Sequence, residues 1–282
     1  MDAAVWRDYM EGKNPSEHTV VGKWKVLEGV YSPQLENRRN VLVYLQPSYD
    51  QSDRRYPVIY MHDGQNLFDA ATGFVGEWQV DETLEMLADE GIEAIVVGIP
   101  NMSKDRIHEL SPFKDAESKG WGDKYLSFIV ETIKPMIDAE FRTFPDRLHT
   151  GIMGSSMGGL ISLYGYFTHP NVFGWAGVVS PALWFGNFAL FAMIEHMSHV
   201  PQGKIYMDVG TNDAGNLNYA PDDIPRESLR YLNSVQEMRD LLARKGYKLG
   251  RDLMYIEYPG AVHNESAWAQ RLPDALRFLL SN

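Results

Sequence analysis

The chain has 282 residues, 44% hydrophobic and 23% charged, the proportions of an ordinary globular protein. Its 26 Lys and Arg against 38 Asp and Glu leave a formal net charge of −12, which disfavours nucleic acid and anionic membrane surfaces as partners. The absence of cysteine excludes disulfides, thiolate metal sites and a cysteine nucleophile. With no long apolar run in the N-terminal "MDAAVWRDYMEGKNP" and no stretch approaching roughly 18 apolar residues, a cytoplasmic protein without a membrane helix is expected.

In chain order, "KWKVLEGVYS" and "RNVLVYLQPSY" read as two strands joined through the polar turn "PQLENR" into an antiparallel hairpin. "YPVIYMHDG" (Tyr56–Gly64) is a short buried strand ending in turn residues. "WQVDETLEMLADEG" has helical spacing at Val80, Leu84 and Leu87, with Gly91 as its C-terminal stop. "IEAIVVGIPN" is another buried strand, and "WGDKYLSFIVETIKPMIDAEF" a helix kinked or broken at Pro135. Strand "LHTGIMG", helix "SMGGLISLYGYFTHP" and strands "FGWAGVVSP" and "GKIYMDVG" follow. Helix "ESLRYLNSVQEMRDLLARKG", strand "LMYIEYPG" and helix "SAWAQRLPDALRFLLSN" complete the chain. This alternation predicts an α/β fold: a mostly parallel central sheet with helices on both faces and the antiparallel hairpin at one edge. No repeat, linker or low-complexity tract divides it, so residues 1–282 are read as one domain.

In such sheets, active sites lie at the carboxyl ends of the strands. At one strand–helix junction, Gly154-Ser155-Ser156-Met157-Gly158 fits G-x-S-x-G, a turn so sharp that small residues must stand two before and two after a central nucleophile. Ser155 has Met153 two positions ahead of it, which makes Ser156 the candidate. A serine nucleophile needs a base and an orienting acid, which follow it in this order in folds of this class. Of the eight histidines, only His263 lies between the last strand and the last helix, in "YPGAVHNESAW". For the acid, "IYMDVGTNDAGN" offers Asp213 beyond the strand, with Asp208 inside the strand as the alternative. The oxyanion donors are expected to be the backbone N–H of Met157 and, after the turn in "MHDGQNLFD", that of Gln65. Adjacent His62 and Asp63 diverge in a strand and have no further ligand spacing, so no metal is expected, and the chemistry needs no cofactor.

"MHDGQNLFD", "GSSMGGL", "DVGTND" and "GAVHNESAWAQRLPDAL" together resemble the putative-esterase branch of the α/β-hydrolases, with enterochelin esterases, feruloyl esterases, S-formylglutathione hydrolases and mycolyltransferases. The resemblance runs from about Lys23 to Leu280. It implies an α/β-hydrolase fold and a serine esterase acting on a small or medium ester, with Ser156, Asp213 and His263 as triad and Gln65 as oxyanion donor. In "PNMSKDRIHELSPF", Arg106 and Glu109 are expected to pair with each other; in "SPALWF", Trp184 is expected near the substrate. The arginine cluster of an enterochelin-type trianion site is not evident. An acyltransferase with the same triad, or a non-catalytic binding module on a hydrolase scaffold, are the rival readings. The connection Asn212–Ser228 is long; it is expected to lie over the mouth of the site, where Asp222 and Asp223 would disfavour anionic substrates.

Overall fold

The computed structural model describes residues 5–214 and 226–281. In chain order the elements are β1 (Arg7–Asp8), β2 (Lys23–Ser32), β3 (Asn37–Leu45), β4 (Val58–His62), α1 (Val80–Ala88), β5 (Ile95–Ile99), α2 (Arg106–Glu109), α3 (Gly122–Ser127) and α4 (Lys134–Glu140). They continue with β6 (Thr150–Ser156), α5 (Met157–Thr168), β7 (Trp175–Pro181), α6 (Phe185–His196), β8 (Lys204–Asn212), α7 (Arg226–Arg244), β9 (Leu253–Val262) and α8 (Glu265–Leu280). The strands form one sheet in the order β1-β2-β3-β5-β4-β6-β7-β8-β9. Antiparallel pairing joins β1, β2, β3 and β5; from β5 through β4 to β9 every pairing is parallel. The predicted α/β architecture and its antiparallel hairpin are therefore present.

Alternation within the strands explains why both faces are covered. In β4, Val58 and Tyr60 enter one apolar cluster and Ile59 and Met61 the other. The first cluster draws on α3, α4, α5, α6 and α7, the second on α1 and α8. A strand buried on both sides reads as a continuous apolar run, and "VIYM", before the buried His62, is one. No helix among the described residues is long and apolar enough to cross a membrane.

Three local features depart from the sequence reading. Between α3 and α4 the chain winds as a π-helical stretch, Phe128–Ile133, and Pro135 falls in the first turn of α4. Proline has no N–H to give the carbonyl four residues back, and a widened turn accommodates that loss without ending the helix. Helix α6 was not anticipated because it opens on Gly186, Asn187 and Phe188, all at positive φ, which breaks any helical sequence pattern. Strand β8 runs on through Asn212, which pairs with Val262 beyond a register shift, so Asp213 follows the strand directly rather than lying several residues away.

Neighbours β5 and β6 lie on opposite sides of β4, so the strand order reverses there. This is where open parallel sheets place their binding crevices. His62 ends β4 and Ser156 ends β6.

Candidate active site

Strand β6 passes into α5 without a loop. Ser156 makes the turn alone, at φ 56° and ψ −118°, a conformation that costs a non-glycine residue roughly 1–3 kcal/mol. The flanking glycines make the turn possible. A Cβ on Gly154 would sit 2.8 Å from His62 Cδ2 and 2.9 Å from the Gly158 backbone. Met157 is the first residue of α5, and its N–H therefore has no partner within the helix. Its side chain is buried in the core.

Asp213 and His263 come together from the ends of β8 and β9. Asp213 Oδ1 lies 3.6 Å from His263 Nδ1. Among the described residues neither atom has a hydrogen-bond partner, so each is the other's nearest complement. Asp213 Oδ2 is held by Ser180 Oγ at 2.6 Å and by the Gly210 N–H at 2.8 Å. Asp208, fully buried inside β8, has different partners. It accepts from Tyr206 at 2.9 Å, from the Ser180 N–H at 3.1 Å and from Arg271 at 3.2 Å. Burial outweighs the attraction of Arg271 and pushes the Asp208 carboxyl up to about 6.

Arg271, Ser180 and Tyr231 are site residues that sequence reasoning missed. Arg271 is 1% exposed; it donates to Ser180 Oγ at 2.9 Å and stands 3.9 Å from Asp213 Oδ1. Its signal was legible: one arginine in the apolar stripe Trp268, Leu272, Ala275 and Leu279 of α8 must find buried partners. Tyr231, on α7, donates its hydroxyl to the Ser180 carbonyl and reaches the Ser156 side chain. Its ring centroid is 5.5 Å from that of His263. Trp184 packs edge-on against Tyr231 at 4.7 Å and is not among the residues lining the cavity described below.

The turn after β4 is built by Asp63 at φ 54° and by Gly64, where a Cβ would fall 2.7 Å from the backbone of β5. Gln65 follows, fixed by an N–H from Asn101 to its Oε1 at 3.1 Å and by Thr72 Oγ1 donating to its carbonyl at 2.7 Å. The expected Arg106–Glu109 pair does not form. Arg106 grips both oxygens of Asp63 at 2.7 Å, whereas Glu109 pairs with Arg39, at 2.9 Å and 2.6 Å. Although the two are only three residues apart in the one-turn α2, each is claimed by a carboxylate or guanidinium from a different element. Burial favours neutral Asp63, but Arg106 and Asn101 prevail and hold its carboxyl below the usual range.

His62 is buried, with Nδ1 2.8 Å from the Tyr125 hydroxyl and, among the described residues, no partner at Nε2. Burial pushes its imidazole down to about 4. An unfolded chain binds a proton there near pH 6.5, so between about 6.5 and 4 the unfolded state takes up a proton that the fold refuses. Stability should be unaffected by this group above that window and fall by up to about 3 kcal/mol as pH drops through it. Urea unfolding at pH 7 and pH 4.5, with His62→Gln as control, checks this; the variant should lose part of the acid sensitivity.

Ser155, Ser156, His263, Gln65 and Asp63 line one cavity of about 600 Å³, together with Asn66, Arg106, Glu265 and an apolar wall. The connection expected to cover it, Asn212–Ser228, with Asp222 and Asp223, lies largely outside the described residues.

Comparison with known proteins bears on the fold and the family. Residues 32–279 match the model of the "Putative esterase" family. YbbA of Bacillus subtilis, described as an uncharacterized protein, is 26% identical over 90% of this chain and 97% of its own length. A siderophore enterobactin esterase of Emericella nidulans is 29% identical over 50% of each chain. Among solved structures, an IroE-like serine hydrolase from Shewanella oneidensis superposes with a TM-score of 0.70 at 20% identity, over 91% of this chain and 80% of that one. The siderophore hydrolase EstA from Aspergillus nidulans gives 0.70 at 19% identity, over 92% and 95%. At such identity these structures establish the α/β-hydrolase fold, and the match over residues 32–279 makes the chain a member of the putative-esterase family, a carboxylic-ester hydrolase.

Proposed function

We propose that the protein hydrolyses a small or medium carboxylic ester through an acyl-enzyme on Ser156, with His263 as base and Asp213 as orienting acid. The observation that carries this reading is the strained Ser156 at a strand–helix junction, opening on the same cavity as His263. His263, with Asp213 behind its Nδ1, is left with Nε2 to take the serine proton. The alkoxide bonds to the ester carbon, and the N–H groups of Gln65 and Met157 receive the oxyanion. The imidazolium then gives its proton to the departing alcohol. In the second half His263 takes a proton from water, hydroxide adds to the acyl carbon, and the proton returns to Ser156 as the acid leaves. The gap of 3.6 Å between Asp213 and His263 is one that closes when charge develops on the ring.

Treatment with a fluorophosphonate during turnover of p-nitrophenyl acetate is the direct test. One equivalent should abolish turnover and add mass to the peptide containing Ser156. Full activity after exhaustive treatment would overturn the reading.

A further inference from the structure

The polar wall of the cavity carries a charge that the ester chemistry does not use. Besides the imidazoles of His62 and His263, its ionisable side chains are Asp63, Arg106 and Glu265. Asp63 and Arg106 cancel in a two-pronged pair, with both contacts at 2.7 Å. The pair engages the Nε–Nη2 edge of Arg106 and offsets its charge. Glu265 remains. It opens α8 two residues after His263, is 6% exposed, and lines the cavity. Its Oε1 accepts from Asn66 Nδ2 at 3.0 Å, and among the described residues no basic side chain forms an ion pair with it. Asn264 already caps this helix through the Ala267 N–H at 2.9 Å, so the helix start does not depend on Glu265. The apolar part of the lining is Phe74, Val75, Trp78, Ile107 and Trp268.

We infer that Glu265 is a specificity residue: the enzyme prefers esters whose acyl or alcohol group carries an uncharged or cationic hydrogen-bond donor, a hydroxyl or an ammonium, on an apolar stem, and it disfavours esters bearing a carboxylate. This rests on the serine-esterase reading of the same cavity. The apolar wall takes the stem by burial. The Glu265 carboxylate takes the donor as a charge-assisted bond, and it repels an anion in a site with little water to screen it. Burial raises the Glu265 carboxyl above its ordinary value, which fits a group that gains from a donor arriving in the cavity.

Two matched ester series test it. The acyl series comprises p-nitrophenyl hexanoate, 6-hydroxyhexanoate, 6-aminohexanoate and monoadipate. The alcohol series comprises pentyl acetate, 5-hydroxypentyl acetate, 5-aminopentyl acetate and 5-acetoxypentanoate, followed by acid release. In at least one series, kcat/KM for the ammonium ester should exceed that for the carboxylate ester by about tenfold or more, the size of one charge-assisted hydrogen bond, with the hydroxyl ester between them. In Glu265→Gln, which keeps the shape and an acceptor for Asn66, that ratio should collapse toward one. Because each ratio is taken within one protein, a general loss of activity cancels. A flat ratio in both series for the wild type, or an unchanged ratio in Glu265→Gln, overturns the inference. If the wild type is also not labelled by a fluorophosphonate, the serine mechanism fails; if it is labelled while the ratios are flat, only the specificity inference does.

Discussion

Ser156→Ala should lower kcat by about 10⁶-fold and abolish fluorophosphonate labelling, the loss seen when a serine triad is left without its nucleophile. Ser155→Ala should still be labelled. The two hydroxyls are neighbours at the end of β6, but their backbones differ. Ser155 is a strand residue whose backbone pairs with Val179, and it is 5% exposed. Ser156 breaks from that strand at positive φ and caps the N-terminal end of α5, where an oxyanion would find unpaired N–H groups. Mass spectrometry of the labelled peptide separates the two cases. Label persisting on Ser156→Ala would move the nucleophile to Ser155.

The second large effect distinguishes the two aspartates. Asp213→Asn should leave the fold in place but lower kcat by about 10⁴-fold, because an amide facing Nδ1 stabilises the tautomer that carries its hydrogen on Nε2. The other oxygen of the group would still accept from Ser180 and Gly210. Asp208→Asn should act mainly on stability. It removes the charge nearest the fully buried Arg271, and breaking one partner of a buried pair costs about 3–5 kcal/mol. Thermal unfolding and steady-state kinetics on both variants decide the matter. A stable, inactive Asp208→Asn beside an active Asp213→Asn would exchange the roles.

Local chemistry made much of this legible in the sequence. Apolar runs of strand length alternating with helical spacing announce a parallel sheet, and glycines two before and two after Ser156 announce the elbow. Chain order alone singles out Asp213 and His263 as candidates, and the two lie 3.6 Å apart because each follows a strand whose end lies at the same rim. What stayed hidden depends on which elements become neighbours. Arg106 and Glu109 are three residues apart and of opposite charge, yet Asp63 after β4 and Arg39 on β3 claim them. Trp184 was expected at the substrate from its place after β7, but the first turn of α6 and the ring of Tyr231 decide where it packs. Ser180, at φ 38°, gives no signal at all until β7, β8 and α8 converge on its hydroxyl.

Strand β9 ends the sheet at the side that carries His263. A terminal strand of ten residues is a template on which another polypeptide can add a strand, the first step of non-native association. Near its far end this one reads Tyr258-Pro259-Gly260-Ala261, with Gly260 at φ 72°. Proline gives no N–H to an incoming chain, and a left-handed glycine turns the backbone away from a straight ladder. The disruption sits three and four residues before His263, so the stretch that aims the imidazole is also the stretch least able to dock a foreign strand. Straightening it with Pro259→Val and Gly260→Val would expose the edge to self-association and pull on the ring at the same time, coupling the solubility of this protein to the geometry of its base.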